Sequence, residues 1–188
     1  ERVLELAAEP SLREMCAAAE LDRIEELLVS GDLAAAGAAL RSSAAMLEWN
    51  GTHGWHHHQR YRTLSARHLL AVGDAERALE VATAVVEDAA ARRTSRYGCW
   101  ARVVAAQAAL SCGEPADLAE VDAALVALEG CAGLEAWRIT AELAAAAGED
   151  RWWRDAERRA ATLVVRAGDM GETLRRHVAA TFAGLGRG

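Results

Sequence analysis

The segment LLAVGDAERALEVA, residues 69–82, decides the fold. Its two flanks carry apolar residues at helical spacing, and its centre is a Gly-Asp pair that the middle of a single helix would hold only at a cost. Gly73 can take the left-handed conformation that closes a helix, because it has no Cβ to clash. Asp74 can then accept from the free amides of a following helix. The two helices are expected to fold back as an antiparallel hairpin. Near-copies recur at LLVSGDLAAAGAAL (27–40), ALSCGEPADLAEV (109–121) and AAAAGEDRWWRDAERRA (144–160), centred on Gly31, Gly113 and Gly148.

Reading outward from the four glycines divides the chain into hairpins over 11–48, 55–91, 95–128 and 134–167. A closing helix is expected over 169–184, ahead of the glycine-rich tail GLGRG. Ser11 with Glu14, and Asp169 with Glu172, have the spacing of capping boxes. The first hairpin places Leu21, Ile24, Leu27 and Leu28 on one helix face and Leu33, Ala36, Leu40, Ala44 and Leu47 on the other helix. Residues 1–8 read as the tail of a preceding repeat, so the chain is expected to be an excised part of a longer protein. The glycine turns are 42, 40 and 35 residues apart. Paired helices at such periods indicate a helical solenoid, in which each unit shields its apolar flank with its neighbours.

Composition agrees. Apolar residues make up 52% and charged residues 26% of 188, with a formal net charge of -7. No run approaches the roughly 18 apolar residues that a membrane-spanning helix requires. About a quarter of the chain is Ala, with a single Phe and two Pro, which favours an all-helical fold. All 21 basic residues are Arg. A phosphate-loop lysine and a Schiff-base lysine are thereby excluded from this chain. Cys16, Cys99, Cys112 and Cys131 lack paired metal-ligand spacing and sit in apolar helical patterns, which reads as buried thiols in a reducing, cytoplasmic setting.

The turn GDAERA, residues 73–78, resembles that of the tetratricopeptide repeat. Aligned on Gly73, the small-residue positions of that family fall on Ala66 and Ala78, with Val85 where a third Ala belongs. Aligned on Gly148, Trp137 matches its aromatic position and Ala141 its small one, while the first unit keeps Ala36 and Ser43 but has Ile24 at a small position. The resemblance implies a right-handed α-solenoid of about four tetratricopeptide-like hairpins plus a capping helix. The closing segment DAERRAATLVVRAGDMGETLRRHVAATF is similar to the C-terminal arrays of large bacterial signal-transducing ATPases and transcriptional regulators. In those proteins the array senses a ligand or partner and controls a separate nucleotide-binding domain.

In the family the first helix of each repeat lines a concave groove. Counting back from each glycine places Glu25, Thr63, Arg67, Gln107, Arg138 and Glu142 there as candidate partner contacts. The Lys and Asn with which some members clamp a peptide carboxylate are missing at these positions. Arg67 and Arg138 remain able to pair an acidic group. The expected ligand is therefore a protein or peptide segment, or an adjoining domain of the same protein, with self-association and an interhelical small-molecule pocket as the rival readings.

Other constellations point less sharply. His53, His56, His57 and His58 are close in NGTHGWHHHQRY, but consecutive residues on a helix diverge by about 100°, so no convergent metal site is expected. Six tryptophans cluster near helix ends, as packing of one repeat on the next requires. Trp152 and Trp153 are adjacent, so one of them is expected to be exposed as a further partner contact. No nucleophile arrangement is readable, and neither enzyme activity nor a cofactor is expected. Arg runs are interleaved with acids in a net-negative chain, which argues against direct nucleic-acid binding.

Overall fold

In a computed structural model of the chain, residues 10–47, 54–130 and 132–187 are described. These form nine α-helices and no strand: α1 (Pro10–Ser30), α2 (Leu33–Leu47), α3 (Gly54–Ala71), α4 (Ala75–Arg92), α5 (Ser95–Ser111), α6 (Leu118–Glu129), α7 (Gly133–Ala147), α8 (Asp150–Arg166) and α9 (Gly171–Gly184). A short 3-10 turn, Gly168–Met170, precedes α9. The tail expected over residues 1–8 lies outside the described residues, as do Trp49, His53 and Cys131.

The glycines act as the sequence predicts. Gly31, Gly73, Gly113 and Gly148 all have positive φ, between 66° and 87°. At Gly31, Gly73 and Gly113 the glycine amide and the following amide both bond back into the last helical turn, as Gly73 N–H does to Leu70 O (3.1 Å) and Asp74 N–H to Leu69 O (2.9 Å). This is the Schellman closure. Gly148 closes α7 with the single longer-ring bond, its N–H to Ala144 O at 3.0 Å.

The caps differ from expectation at three places. α1 begins at Pro10, so Ser11 lies inside the helix and not ahead of it as an N-cap. Asp74 makes no side-chain cap and instead pairs with Arg77 at 3.3 Å, whereas Asp32 accepts from Ala35 N–H at 3.0 Å. Asp169 falls in the 3-10 turn, so α9 begins at Gly171 and the Asp169–Glu172 box does not form. A further left-handed closure, on a residue other than glycine, was not visible in sequence. Arg93, with φ 57°, ends α4 through Arg93 N–H to Ala90 O and Thr94 N–H to Ala89 O, although it carries a Cβ.

Packing follows chain order. Each helix packs on the next, and the first helices of successive pairs also pack on each other: α1 on α3, α3 on α5, and α5 on α7. Among the described residues the second helices α2, α4, α6 and α8 have no extensive interface with one another. The first helices thus form the inner row, and most of the core sits on them. Leu21, Ile24, Leu64, Val103, Trp137 and Leu143 are all essentially inaccessible and belong to one continuous cluster. Small residues permit these approaches. Ala36, Ala66, Ala78 and Ala141 are each fully buried.

Both Trp152 and Trp153 are buried, 2% and 8% exposed. The expectation that one of them faces solvent fails because α8 is covered on two sides. α7 packs on one flank and α9 on the other. Phe182, the one Phe of the chain, sits on α9 with its ring 5.9 Å from Trp153 and 6.1 Å from Trp137. Arg151 lies over Trp152 at 4.6 Å and Arg187 over Trp153 at 5.6 Å. Cys99 is buried in the core, and Cys16 and Cys112 are half-buried.

Candidate functional site

The inner row of helices opens into a cleft of about 680 Å³, lined from α1, α3, α5, α7 and α9. On α1 it is faced by Ala18, Asp22, Glu25 and Val29, which recur three or four residues apart and so share one helix face. Met15 continues this stripe into an adjoining recess of about 340 Å³ beside His56 and His57. Val29 and Leu134, on opposite walls, are more than half exposed. Tyr97 and Trp137 back the cleft but are themselves almost wholly buried, and the exposed His177 of α9 lies edge-on to Trp137 at 5.9 Å.

Ion pairs run along the cleft and its inner end. Arg60 on α3 donates to Asp22 at 2.6 Å and to Glu25 at 2.8 Å, both on α1. Arg138 on α7 donates to the other oxygen of Glu25. Arg138 also lies 3.9 Å from Glu142 one turn on, and Arg67 on α3 donates to Glu142 at 2.7 Å. Arg67 and Arg138 both lie over the Trp100 ring, 5.4 and 5.1 Å from its centroid. On the opposite wall Arg96 forms a two-point pair with Glu135 and lies over Tyr97, whose hydroxyl meets His56 at 3.1 Å.

These contacts set the charge states. Burial by itself would raise the carboxyl of Glu25, but Arg138 and Arg60 outweigh it and hold the group below its ordinary value. Burial would likewise lower the guanidinium of Arg60, and its bonds to Glu25 and Asp22 reverse that effect. Burial pushes the Tyr97 phenol up, so it remains a neutral donor or acceptor. At neutral pH the cleft is a set of matched ions around apolar patches. Glu26, which is exposed, is the one carboxylate lining it that no cation meets among the described residues.

Four of the six groove residues read from sequence come together here. Glu25, Arg67, Arg138 and Glu142 form one chain of ion pairs across three helices. The acidic groups that Arg67 and Arg138 meet are the chain's own. Thr63 and Gln107 are not groove contacts: Thr63 is fully buried, with its hydroxyl donating to Gln59 O at 2.8 Å, and Gln107 is 7% exposed. Packing of α3 and α5 against their neighbours covers both. Counting missed Asp22, Arg60, Arg96 and Glu135. Asp22 and Glu135 do lie one turn from Glu25 and Arg138, so a scan for same-face charges would have found them.

Of the histidine run, His56 contacts Tyr97, His57 is buried and His58 is half-buried. Among the described residues no group of three or more His, Cys, Asp or Glu side chains is placed to hold a metal ion. No described helix is long and apolar enough to cross a membrane. No family model, curated protein or solved structure matches this chain.

Proposed function

We propose that this chain is a right-handed, tetratricopeptide-like α-solenoid of about four hairpins with a capping helix, acting as a partner-binding or sensor domain in a larger cytoplasmic bacterial regulator. The march of hairpins in chain order and the fully buried alanines at the family's small positions support the architecture. One observation carries the function: Val29 and Leu134 expose apolar surface across a cleft whose Asp22, Glu25 and Glu135 are already neutralised by arginines. A ligand entering there need not bring net charge. It gains by burying apolar groups against Val29 and Leu134, with polar groups toward Glu26 and the histidines. A short amphipathic segment of a partner, or of an adjoining domain, has that character. Binding would act on regulation through its preference for one curvature of the inner row, which the Glu25–Arg138 and Arg67–Glu142 pairs fix.

A photo-crosslinking residue at Leu134 in cells, with a control at the 81% exposed Val165, which does not line the cleft, tests the reading. The expected result is an adduct at Leu134 alone, whose purified partner binds the Leu134→Arg chain at least about tenfold more weakly than the native one. Equal adducts at both positions, or an affinity that Leu134→Arg leaves intact, would overturn it. The cleft volume also falls in the range of small-molecule pockets. A thermal-shift screen against metabolites distinguishes that reading, because only a small ligand would raise the melting temperature without a partner present.

A further inference from the structure

A second groove lies on the outer side of the molecule, between α4 and α6. These helices have no extensive interface with each other, and α5 floors the gap between them with Ala105, Ala106 and Ala109. Two hollows of about 210 and 570 Å³ both include Leu79 and Thr83, so they run into one another along α4. Leu79 and Val86 form the apolar wall on α4, and Pro115, Ala116 and Val121 form the one opposite.

The rim is acidic. Glu76, Glu80 and Glu87 project from α4 at intervals of four and seven residues, which puts them on one helix face, and Glu114 faces them from the loop before α6. All four are exposed, and none has a cationic partner among the described residues. The cation that does line the groove, Arg102, is held by Glu120 at 2.7 Å. This is the reverse of the inner cleft, where the carboxylates are bonded to arginines. The outer groove keeps its negative field.

We propose that the outer groove is a docking site for a basic amphipathic helix, apolar on one face and Arg- or Lys-rich on its flanks. Three features select this occupant. The alanine floor has no bulk to hold a visiting helix off, so backbones can approach to about 8 Å, near the lower limit for helix pairs. The rim from Glu76 to Glu87 spans about 16 Å, three helical turns, and its spacing matches basic residues at i and i+4 on a partner. A purely helical surface offers no strand edge, so an extended peptide would gain no main-chain bonds there. Nucleic acids and anionic lipid surfaces are repelled by the same rim. The site is independent of the inner cleft, and neither proposal depends on the other.

Fluorescence anisotropy of the whole chain with a labelled, capped 20-residue helix tests it. The probe carries Leu at i, i+3, i+4 and i+7 on one face and Arg elsewhere, and its control replaces every Arg by Glu. The expected result is saturable binding of the basic probe alone, weakened by added salt. Glu76→Gln/Glu80→Gln/Glu87→Gln should weaken it about tenfold. Thr83→Tyr, an exposed position that enters both hollows without touching the core, should weaken it similarly by filling the groove. Circular dichroism checks that both variants are folded, and the exposure of all four sites makes that the expected outcome. Absence of binding up to about 1 mM, equal binding of the acidic control, or binding that both variants leave unchanged would each overturn the proposal. So would sedimentation showing a dimer that the triple variant dissociates, which would assign the groove to a second copy.

Discussion

Glu25 of α1 and Arg138 of α7, 113 residues apart in sequence, are bonded to each other across the inner face of the molecule. The row of first helices therefore curves enough for its first and fourth members to exchange an ion pair. Arg60 takes the second oxygen of the same carboxylate, so one half-buried acid ties α1, α3 and α7. Replacing it leaves two guanidiniums, 17% and 21% exposed, without that anion. Partial solvent access moderates the loss. Glu25→Gln should destabilise the chain by about 1–2 kcal/mol at pH 7.

The pH dependence of that loss tests its cause. Glu25 is held below its ordinary value of 4.5, so its contribution is fully present above that pH and is lost as pH falls through the depressed folded value. The gap between native and Glu25→Gln stabilities in urea should therefore be constant from pH 7 to about pH 5 and close progressively in more acidic buffer. A gap independent of pH down to about 3 would mean that the carboxylate charge is not what matters.

Trp100 supports the same network from below. Its ring carries Arg67 and Arg138, while its own Nε1 is buried with no acceptor among the described residues. Keeping an aromatic face should preserve most of the function of the side chain. Trp100→Phe should cost roughly 1 kcal/mol, and Trp100→Ala about 3–5 kcal/mol because it leaves a cavity and frees both arginines. Nearly equal costs in thermal unfolding would show that the ring's stacking role is wrong.

The legibility of this fold varied with the range of the physics involved. Glycine turns are local: a residue without Cβ at a helix end announces itself, and Gly31, Gly73, Gly113 and Gly148 each close a helix. Offsets from those turns also placed Glu25, Arg67, Arg138 and Glu142 on the inner face. Which of these would pair was not legible, because the partners depend on the curvature of the row, a sum of small rotations at every helix crossing. The same limit hid the burial of Trp152 and Trp153. Adjacent positions on α8 alone imply that one of the two is exposed, and α9 supplies the cover. The outer groove left even less trace, since it arises where α4 and α6 lack an extensive interface.

Arg93 gives a local test of backbone conformation. It holds φ 57° at the end of α4 where the other left-handed closures are glycines. A side chain in that region costs about 1 kcal/mol, so Arg93→Gly should stabilise the chain by roughly 0.5–1 kcal/mol. Gly73→Ala, at φ 87°, should lose about 1 kcal/mol for the same reason. No atom lies within 4 Å of a Cβ built on Gly73, so crowding cannot account for such a loss. If the two substitutions move the denaturation midpoint in the same direction, the conformational account of these turns fails.

Phe182 tests whether α9 is an integral cap. Its ring fills the angle between Trp137 of α7 and Trp153 of α8, and these are the two aromatic surfaces that the last hairpin would otherwise leave open. Because Phe182 itself remains half-exposed, Phe182→Ala should cost about 2 kcal/mol, below the 3–5 of a fully buried Phe. The same variant should shift tryptophan emission to the red, as water reaches Trp153 before the chain unfolds. Phe182→Leu refills most of the volume and should recover more than half of the stability. An unshifted emission maximum together with an unchanged melting temperature would show that α9 lies on the array without sealing it.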